Sequence, residues 1–428
     1  MRDMARVVTL NNIVPMLNKD RIICAEFKET AYTCIVPKET AHIGDFYIMF
    51  EADAILPEKP EFEFLRKRCY KEELHGFLIK AMTMGQREDG TKVKSWCLCM
   101  KPNEVGLTEK EIEKLKSGQD LTERLEVRKY EPIEDASPTS SKKAYPKWVK
   151  FCLSHALTRW IGKIWQRNHQ NSAGGFPSEF ISTSDETTLQ NLPGLLDKIQ
   201  NEKVTVTFKH EGQSCTALFD YDSKKKKVGK FYVCSRNNAY KLKCNNDFWN
   251  FAVNNDIENK LKQYYKKHGV WLILQCEQCG PGIQNNIYNL KHIDWYVYTI
   301  KNMLTGDQYT YSELADICKE LGLKPVACIR DNVTLSEIMP DLKTAITYAE
   351  EVYWSYDKEK DEPIFNYRPK DGEKLNKSYW QAEGIVVRTI PYNKDKNIGY
   401  SFKLKNIQYL EHGLSAMSKE VMAFRSIN

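Results

Sequence analysis

Short apolar runs with a period of two dominate the first hundred residues. Segments 6–10, 32–36 and 45–50 alternate or cluster Val, Ile, Tyr and Phe between turn-forming residues, which predicts strands. Segments 77–84 and 93–100 read as two more, separated by the polar turn GQREDG, and 51–65 is acidic and proline-punctuated. Short strands with polar turns predict a small barrel or sandwich. Residues 105–128 are charged and helical in flavour, and EDASPTSSKKAYP marks a linker or surface excursion. The stretch WVKFCLSHALTRWIGKIWQRNH then spaces Trp, Phe, Leu and Ile near the helical period, with Lys and Arg between. It reads first as a helix covering a core. A basic nucleic-acid-facing surface and a membrane-surface helix are the other readings.

A second alternating region begins at 174. It predicts a helix within 188–201 and strands at 204–208, 215–221 and 230–234, with the run KKKK at one turn. A helix over 247–265 and strands at 269–275 and 292–300 follow. Residues 307–350 look largely helical, and the helix 311–321 stops at Gly322. The segment 350–377 is charged and loop-rich before strands return at 383–389 and 401–404. This pattern divides the chain into 1–128, a connecting 129–173, and 174–428.

The length of 428 residues suits two or three domains. The net charge of +6 is weakly basic: it permits a nucleic-acid or nucleotide partner without demanding one. The thirteen cysteines lack a compact repeating frame, the N-terminus lacks the apolar core of a secretory signal, and no apolar run is long enough to span a bilayer. An intracellular, reducing setting is expected, with most cysteines as small buried hydrophobes.

Six local features carry candidate chemistry. In TFKHEGQSCT, Lys209 follows a strand and Gly212 lets backbone approach a bound group closely. Partial desolvation or nearby cations would expose the lysine's lone pair for nucleophilic attack. In EGIVVRTI, Glu383 stands at a strand entrance. In SFKLKN, alternation puts Lys403 and Lys405 on one face, a crowding that a phosphate between them would satisfy. In LQCEQCGPGIQNNIYNL, Glu277 follows a strand; its CxxC has no second ligand pair close in sequence and does not read as zinc. In DWYVYTI, Tyr296 and Tyr298 are expected on one strand face, where they would cover a base or fill a core. In YVCSRN, Arg236 offers a fork suited to phosphate. Each feature alone reads more simply as an ordinary surface or core residue.

Their order is more specific. KHEG, SRN, CEQCGPGIQ, WYVYTI, EGIVVR and SFKLKN follow one another as motifs I, Ia, III, IIIa, IV and V do in the covalent nucleotidyltransferases. The set resembles ATP-dependent ligases and capping enzymes. GPGIQNNIYNL, FPSEFISTSDETTLQNLP and SFKLKN resemble the RNA ligase 2-like branch. VTLNNIVPMLNKDRI and IGDFYIMFEADAILPEKPEFEFLRKR resemble the Naegleria-type RNA ligases, over roughly residues 7–410.

The resemblance implies an α+β fold: an ATP-grasp-like adenylyltransferase domain of antiparallel sheets with flanking helices, behind an OB-like β-barrel. It also implies ATP and Mg2+ or Mn2+ as cofactors. Lys209 would attack the ATP α-phosphate to give lysyl-AMP. Glu277 would contact the ribose, and Gly212 would permit close approach. Glu383 would support the metal through its waters, with Glu211 reaching the same waters. Lys403 and Lys405 would contact the α-phosphate, Arg236 phosphate or the RNA end, and Tyr298, with Tyr296, the adenine. Relatives often carry an acid where this chain has Phe208, Asp where it has Glu211, and an acid where it has Thr299. The implied partner is RNA, at nicks in duplex RNA or an RNA-containing hybrid, with no membrane and a monomeric enzyme. A nucleic-acid-binding protein with a decayed ligase core and a DNA nick ligase are the alternatives.

Overall fold

The computed structural model describes residues 3–88, 90, 92–130, 172–183, 186–222, 227–240, 244, 246–284, 286–357, 359–367, 379–407 and 409. The aromatic and basic stretch at 148–169, the linker before it and most of the KKKK run lie outside these residues.

The first unit is a curled antiparallel sheet. Its strands are β1 (Ala5–Val14), β2 (Ile22–Phe27), β3 (Thr33–Pro37), β4 (Phe46–Glu51) and β5 (Cys97–Met100), in the order β5-β4-β1-β2-β3. The two edges meet: the Trp96 N–H donates to the Thr33 carbonyl at 3.0 Å, and the Cys34 thiol to the Cys97 carbonyl at 3.1 Å. The sheet therefore nearly closes into the expected OB-like barrel. Cys34, Cys97 and Cys99 are buried where the edges meet, filling apolar space as small hydrophobes do.

Three sequence expectations change here. β2 (IICAEF) was hidden because its buried positions run nearly continuously instead of alternating. The segments 77–84 and 93–100 each split, because Gly76–Leu78 pairs with Ala54–Leu56 while Met82–Gln86 pairs with Lys92–Ser95 and leaves Cys97–Met100 to β4. The helical stretch at 105–128 shrinks to Glu109–Ile112, started by a capping box in which the Thr108 N–H donates to Glu111 at 2.8 Å. Its neighbours Gly106 and Gly118 have positive φ, and Leu107, Leu115, Leu121, Leu125 and Val127 join Val7, Ile48 and Phe50 in an apolar cluster separate from the one that holds Val8, Tyr47 and Met49 on the alternate positions of β1 and β4.

The second unit holds two antiparallel sheets. The larger contains β6 (Ser172–Gly175), β8 (Gln213–Asp222), β9 (Lys227–Ser235), β10 (Asn238–Tyr240), β11 (Leu272–Cys279), β12 (Asp294–Asn302) and β13 (Lys324–Pro325), in the order β6-β10-β9-β8-β11-β12-β13. Only β13 runs parallel to its neighbour. The smaller has β14 (Cys328–Thr334), β7 (Lys203–Phe208), β15 (Gly384–Thr389) and β16 (Ser401–Lys405), in that spatial order.

Helices α1 (Asp247–Asn254), α2 (Ile257–His268) and α3 (Tyr311–Leu321) bury Trp249, Leu261, Ile317 and their neighbours against the larger sheet. The helix predicted over 247–265 breaks between α1 and α2, where Asp256 takes φ +53°. α3 runs as read, from a Thr310–Glu313 capping box to Gly322 at φ +61°. A second core joins Val204, Val206, Phe208, Ile385, Phe402 and Leu404 to α4 (Leu342–Glu350) through Ala345 and Tyr348. The segment read as loop-rich carries two strands, Tyr353–Asp357 and Glu362–Tyr367, which form a small sheet with Tyr379–Gln381 just beyond it. Among the described residues no helix is long and apolar enough to cross a membrane. The architecture is α+β, a barrel preceding a two-sheet nucleotidyltransferase fold.

Candidate active site

Lys209 lies one residue beyond β7, the strand flanked by β14 and β15. Its backbone N–H donates to the Gly384 carbonyl at 3.0 Å, which ties it to the start of β15. Gly384 has φ +152°, and an added Cβ there would run into the Leu404 carbonyl, so only glycine fits between Glu383 and the strand. The Asn406 N–H donates to the Glu383 carbonyl at 2.9 Å. Three chain segments thus bring the ends of motifs I, IV and V together.

At that junction Lys209 Nζ lies 2.6 Å from Glu383 Oε1, with the two side chains 23% and 13% exposed. On β16, Phe402 and Leu404 are fully buried while Lys403 and Lys405 alternate with them toward the other face. Lys405 Nζ lies 3.1 Å from Asp53 Oδ2 of the barrel unit. The Lys403 N–H donates to the Thr187 carbonyl at 2.9 Å, so the segment quoted as FPSEFISTSDETTLQNLP lies beside β16.

The acids gather around Cys279. Burial pushes its thiol up first, and then the neighbouring carboxylates of Glu277, Glu211, Asp294 and Glu383 add to the effect. Burial and the Glu383 and Glu211 carboxylates likewise push the Tyr409 phenol up. Glu211 is buried, and its backbone N–H donates to the Tyr288 hydroxyl at 2.8 Å. Glu277 lies cross-strand from Ser214 on one side and Tyr296 on the other. Gly212 is required by close approach: an added Cβ would stand 2.5 Å from the Gln278 carbonyl oxygen and 2.8 Å from both Cys279 Sγ and Glu277 Cγ. Gly212→Ala should therefore displace Glu277 and cost about 1–3 kcal/mol of stability, read from urea unfolding. Unchanged unfolding would show that the strand gives way freely.

The two tyrosines part company. β12 bulges at Tyr298, where the adjacent Gln275 and Cys276 of β11 pair with Thr299 and Val297, so Tyr296 and Tyr298 do not keep simple alternation. Tyr296 is 4% exposed and stacks on the His210 ring at 4.3 Å. Tyr298 is partly exposed, shares a 3.1 Å hydrogen bond with Ser214 and lines a cavity with Thr205, Thr207 and Arg388. Arg236 stands just past β9, whose Ser235 pairs with Cys215 beside the Gly212 end of β8.

Several residues escaped the sequence reading. Arg388 lies within EGIVVR, two strand repeats beyond Gly384, and that parity was the available signal. It donates to the Tyr298 carbonyl at 2.6 Å and the Thr299 hydroxyl at 3.2 Å, and pairs with Glu186 at 2.9 Å. Glu186 also accepts from Ser401. Glu186 thus meets the arginine's charge beside Thr299.

His210 is buried between Tyr296, Phe208 and Phe365. Neither ring nitrogen has a hydrogen-bond partner among the described residues. Burial first, and the Lys209 charge second, hold its pKa down at about 3. The unfolded chain takes up this proton below about pH 6.5 while the folded chain does not, so stability falls with pH by up to about 1.4 kcal/mol per unit from that point. His210→Phe should flatten this slope, measured by urea unfolding at pH 7 and pH 5. An unchanged slope would assign it to other groups.

Carboxylate oxygens dominate the donor set here, a chemistry that fits a hard divalent cation such as Mg2+ or Mn2+ rather than a thiolate-seeking metal. Glu383 and Glu211 would hold it, through waters and substrate phosphate more than through a full protein cage.

Comparison with known proteins agrees with this layout. Residues 202–405 match the RNA ligase family, and residues 4–105 match an OB-fold domain family. No curated protein matches the chain. A Naegleria gruberi RNA ligase mutant with AMP and Mn is 22% identical, with a TM-score of 0.65, over 96% of this chain and 98% of that one. The same ligase with PPi gives the same values. Another mutant of it, with ATP and Mn, has a TM-score of 0.64 at 22% identity over 98% of each chain. The chain thus carries, in order, a match to an OB-fold domain family and a match to the RNA ligase family, and it shares the fold of the Naegleria gruberi RNA ligase over nearly its whole length.

Proposed function

We propose that this protein is an ATP-dependent RNA ligase that joins a 3′-hydroxyl to a 5′-phosphate through lysyl-AMP and RNA-adenylate intermediates. The observation that carries the reading is the meeting of Lys209, Glu383 and Lys405 at one end of the smaller sheet.

Lys209 Nζ must lose a proton to attack, and the Glu383 carboxylate at 2.6 Å is placed to receive it. The new N–P bond replaces the bond to pyrophosphate, which leaves. Lys405 and Lys403 meet the negative charge on the α-phosphoryl oxygens as it builds. A divalent cation held by Glu383 and Glu211 would neutralise phosphate charge. Glu277 takes the ribose, Tyr298 the adenine, and Tyr296 supports that wall from the core. Arg236 engages a phosphate or the RNA end. The RNA 5′-phosphate then takes AMP from Lys209, and the 3′-hydroxyl displaces AMP. Covalent storage divides one difficult transfer into easier ones.

Nicked duplex RNA or an RNA-containing hybrid is the substrate we favour, since a barrel beside the catalytic domain suits an A-form duplex read by shape. A monomer acting in a reducing, intracellular setting completes the proposal; the described cysteines are free thiols. The test is incubation with ATP and Mg2+ or Mn2+, followed by intact mass and by sealing of nicks with RNA or DNA on either side. A covalent AMP and preferential sealing of RNA-containing nicks are expected. No adduct would favour a decayed core, and equal sealing of all-DNA nicks would favour a DNA ligase.

A further inference from the structure

We propose that Asp53, from the barrel unit, is a positioning residue for Lys405 in nucleotidyl transfer. This rests on the ligase reading above.

Asp53 occupies the turn between β4 and Ala54–Leu56 with φ +73°, a conformation that glycine adopts more cheaply. Its backbone is fixed on both sides: its N–H donates to the Ile79 carbonyl at 2.9 Å, and its carbonyl accepts from the Tyr130 N–H at 2.7 Å. From this pinned turn the carboxylate reaches Lys405 Nζ at 3.1 Å, across 352 positions of sequence.

The barrel is seated firmly at that point. Ile407, two residues past Lys405, is fully buried in the barrel core. Asn191 accepts from Arg6 at 2.6 Å and donates to Glu51 at 2.8 Å. The Gln190 carbonyl accepts from the Thr30 hydroxyl and the Ala31 N–H, each at 2.8 Å. A lysine side chain has four rotatable bonds, and an ammonium has three N–H donors. Asp53 holds the ammonium and so fixes the direction of the Lys405 side chain at the end of β16. Preorganised charge of this kind acts on the transition state more than on substrate binding.

The test compares single-turnover lysyl-AMP formation by the full chain carrying Asp53→Ala, Asp53→Glu, Lys405→Ala or both alanines. Asp53→Ala should slow the step about tenfold with little change in the ATP concentration for half-maximal rate, as expected when positioning rather than binding is lost. Asp53→Glu should recover part of the rate. In the Lys405→Ala chain, followed over long incubations, adding Asp53→Ala should change nothing. A wild-type rate for Asp53→Ala, or the same tenfold loss in the Lys405→Ala background, would overturn the proposal while leaving the ligase reading intact. Absence of any adduct on the unmodified protein would overturn both.

Discussion

A Lys209→Ala chain forms no covalent AMP, yet still joins a strand that already carries a 5′-adenylate to a 3′-hydroxyl. The side chain supplies the nitrogen of the phosphoramidate, so its removal should lower adduct formation by at least about 10³-fold. The last step needs the pocket, not that nitrogen. On the proposed reading Lys405 and Lys403 would still meet the phosphate, and Glu383 keeps its backbone anchor through Asn406. Intact mass reports the first half of the prediction, and sealing of a pre-adenylylated strand reports the second. An adduct on the alanine variant at the wild-type rate would move the nucleophile to another lysine.

The parts of this site visible in sequence are those fixed by local spacing. KHEG, EGIVVR and SFKLKN each sit at a strand end, and a period of two was enough to place Lys403 and Lys405 on one face and Phe402 and Leu404 in the core. The α3 stop at Gly322 was equally local, because a left-handed cap needs only the next residue. What stayed hidden depends on register or on distant chain. The bulge in β12 separated the roles of Tyr296 and Tyr298, and nothing in DWYVYTI announces that Gln275 and Cys276, adjacent on β11, pair with Thr299 and Val297. Glu186 meets Arg388 across 202 positions, and Asp53 meets Lys405 across 352, separations at which no periodicity in the chain carries information. The strand β14 inside the segment read as helical was lost for a similar reason. Its CIRDNVT has few apolar residues, and it is a strand because β7 offers it an edge.

Glu383→Gln should slow lysyl-AMP formation by about 10²–10³-fold and, unlike Lys209→Ala, should also slow the sealing of a pre-adenylylated strand. Glutamine keeps the shape of the side chain, so the backbone ties from Lys209 to Gly384 and from Asn406 to Glu383 survive. What disappears is the negative charge beside Lys209 Nζ, and with it both a proton acceptor at 2.6 Å and an anionic partner for a divalent cation. The first loss concerns only the step in which Lys209 is deprotonated. The second concerns every step in which phosphate charge must be neutralised, so it extends to the final attack by the 3′-hydroxyl. Raising Mg2+ or Mn2+ should recover part of the sealing rate but little of the adduct rate, because added metal compensates for weak binding and not for a missing base. Rates measured against metal concentration for both steps separate the two contributions. If Glu383→Gln seals the pre-adenylylated strand at the wild-type rate at low metal, Glu383 serves Lys209 alone and the cation is held elsewhere.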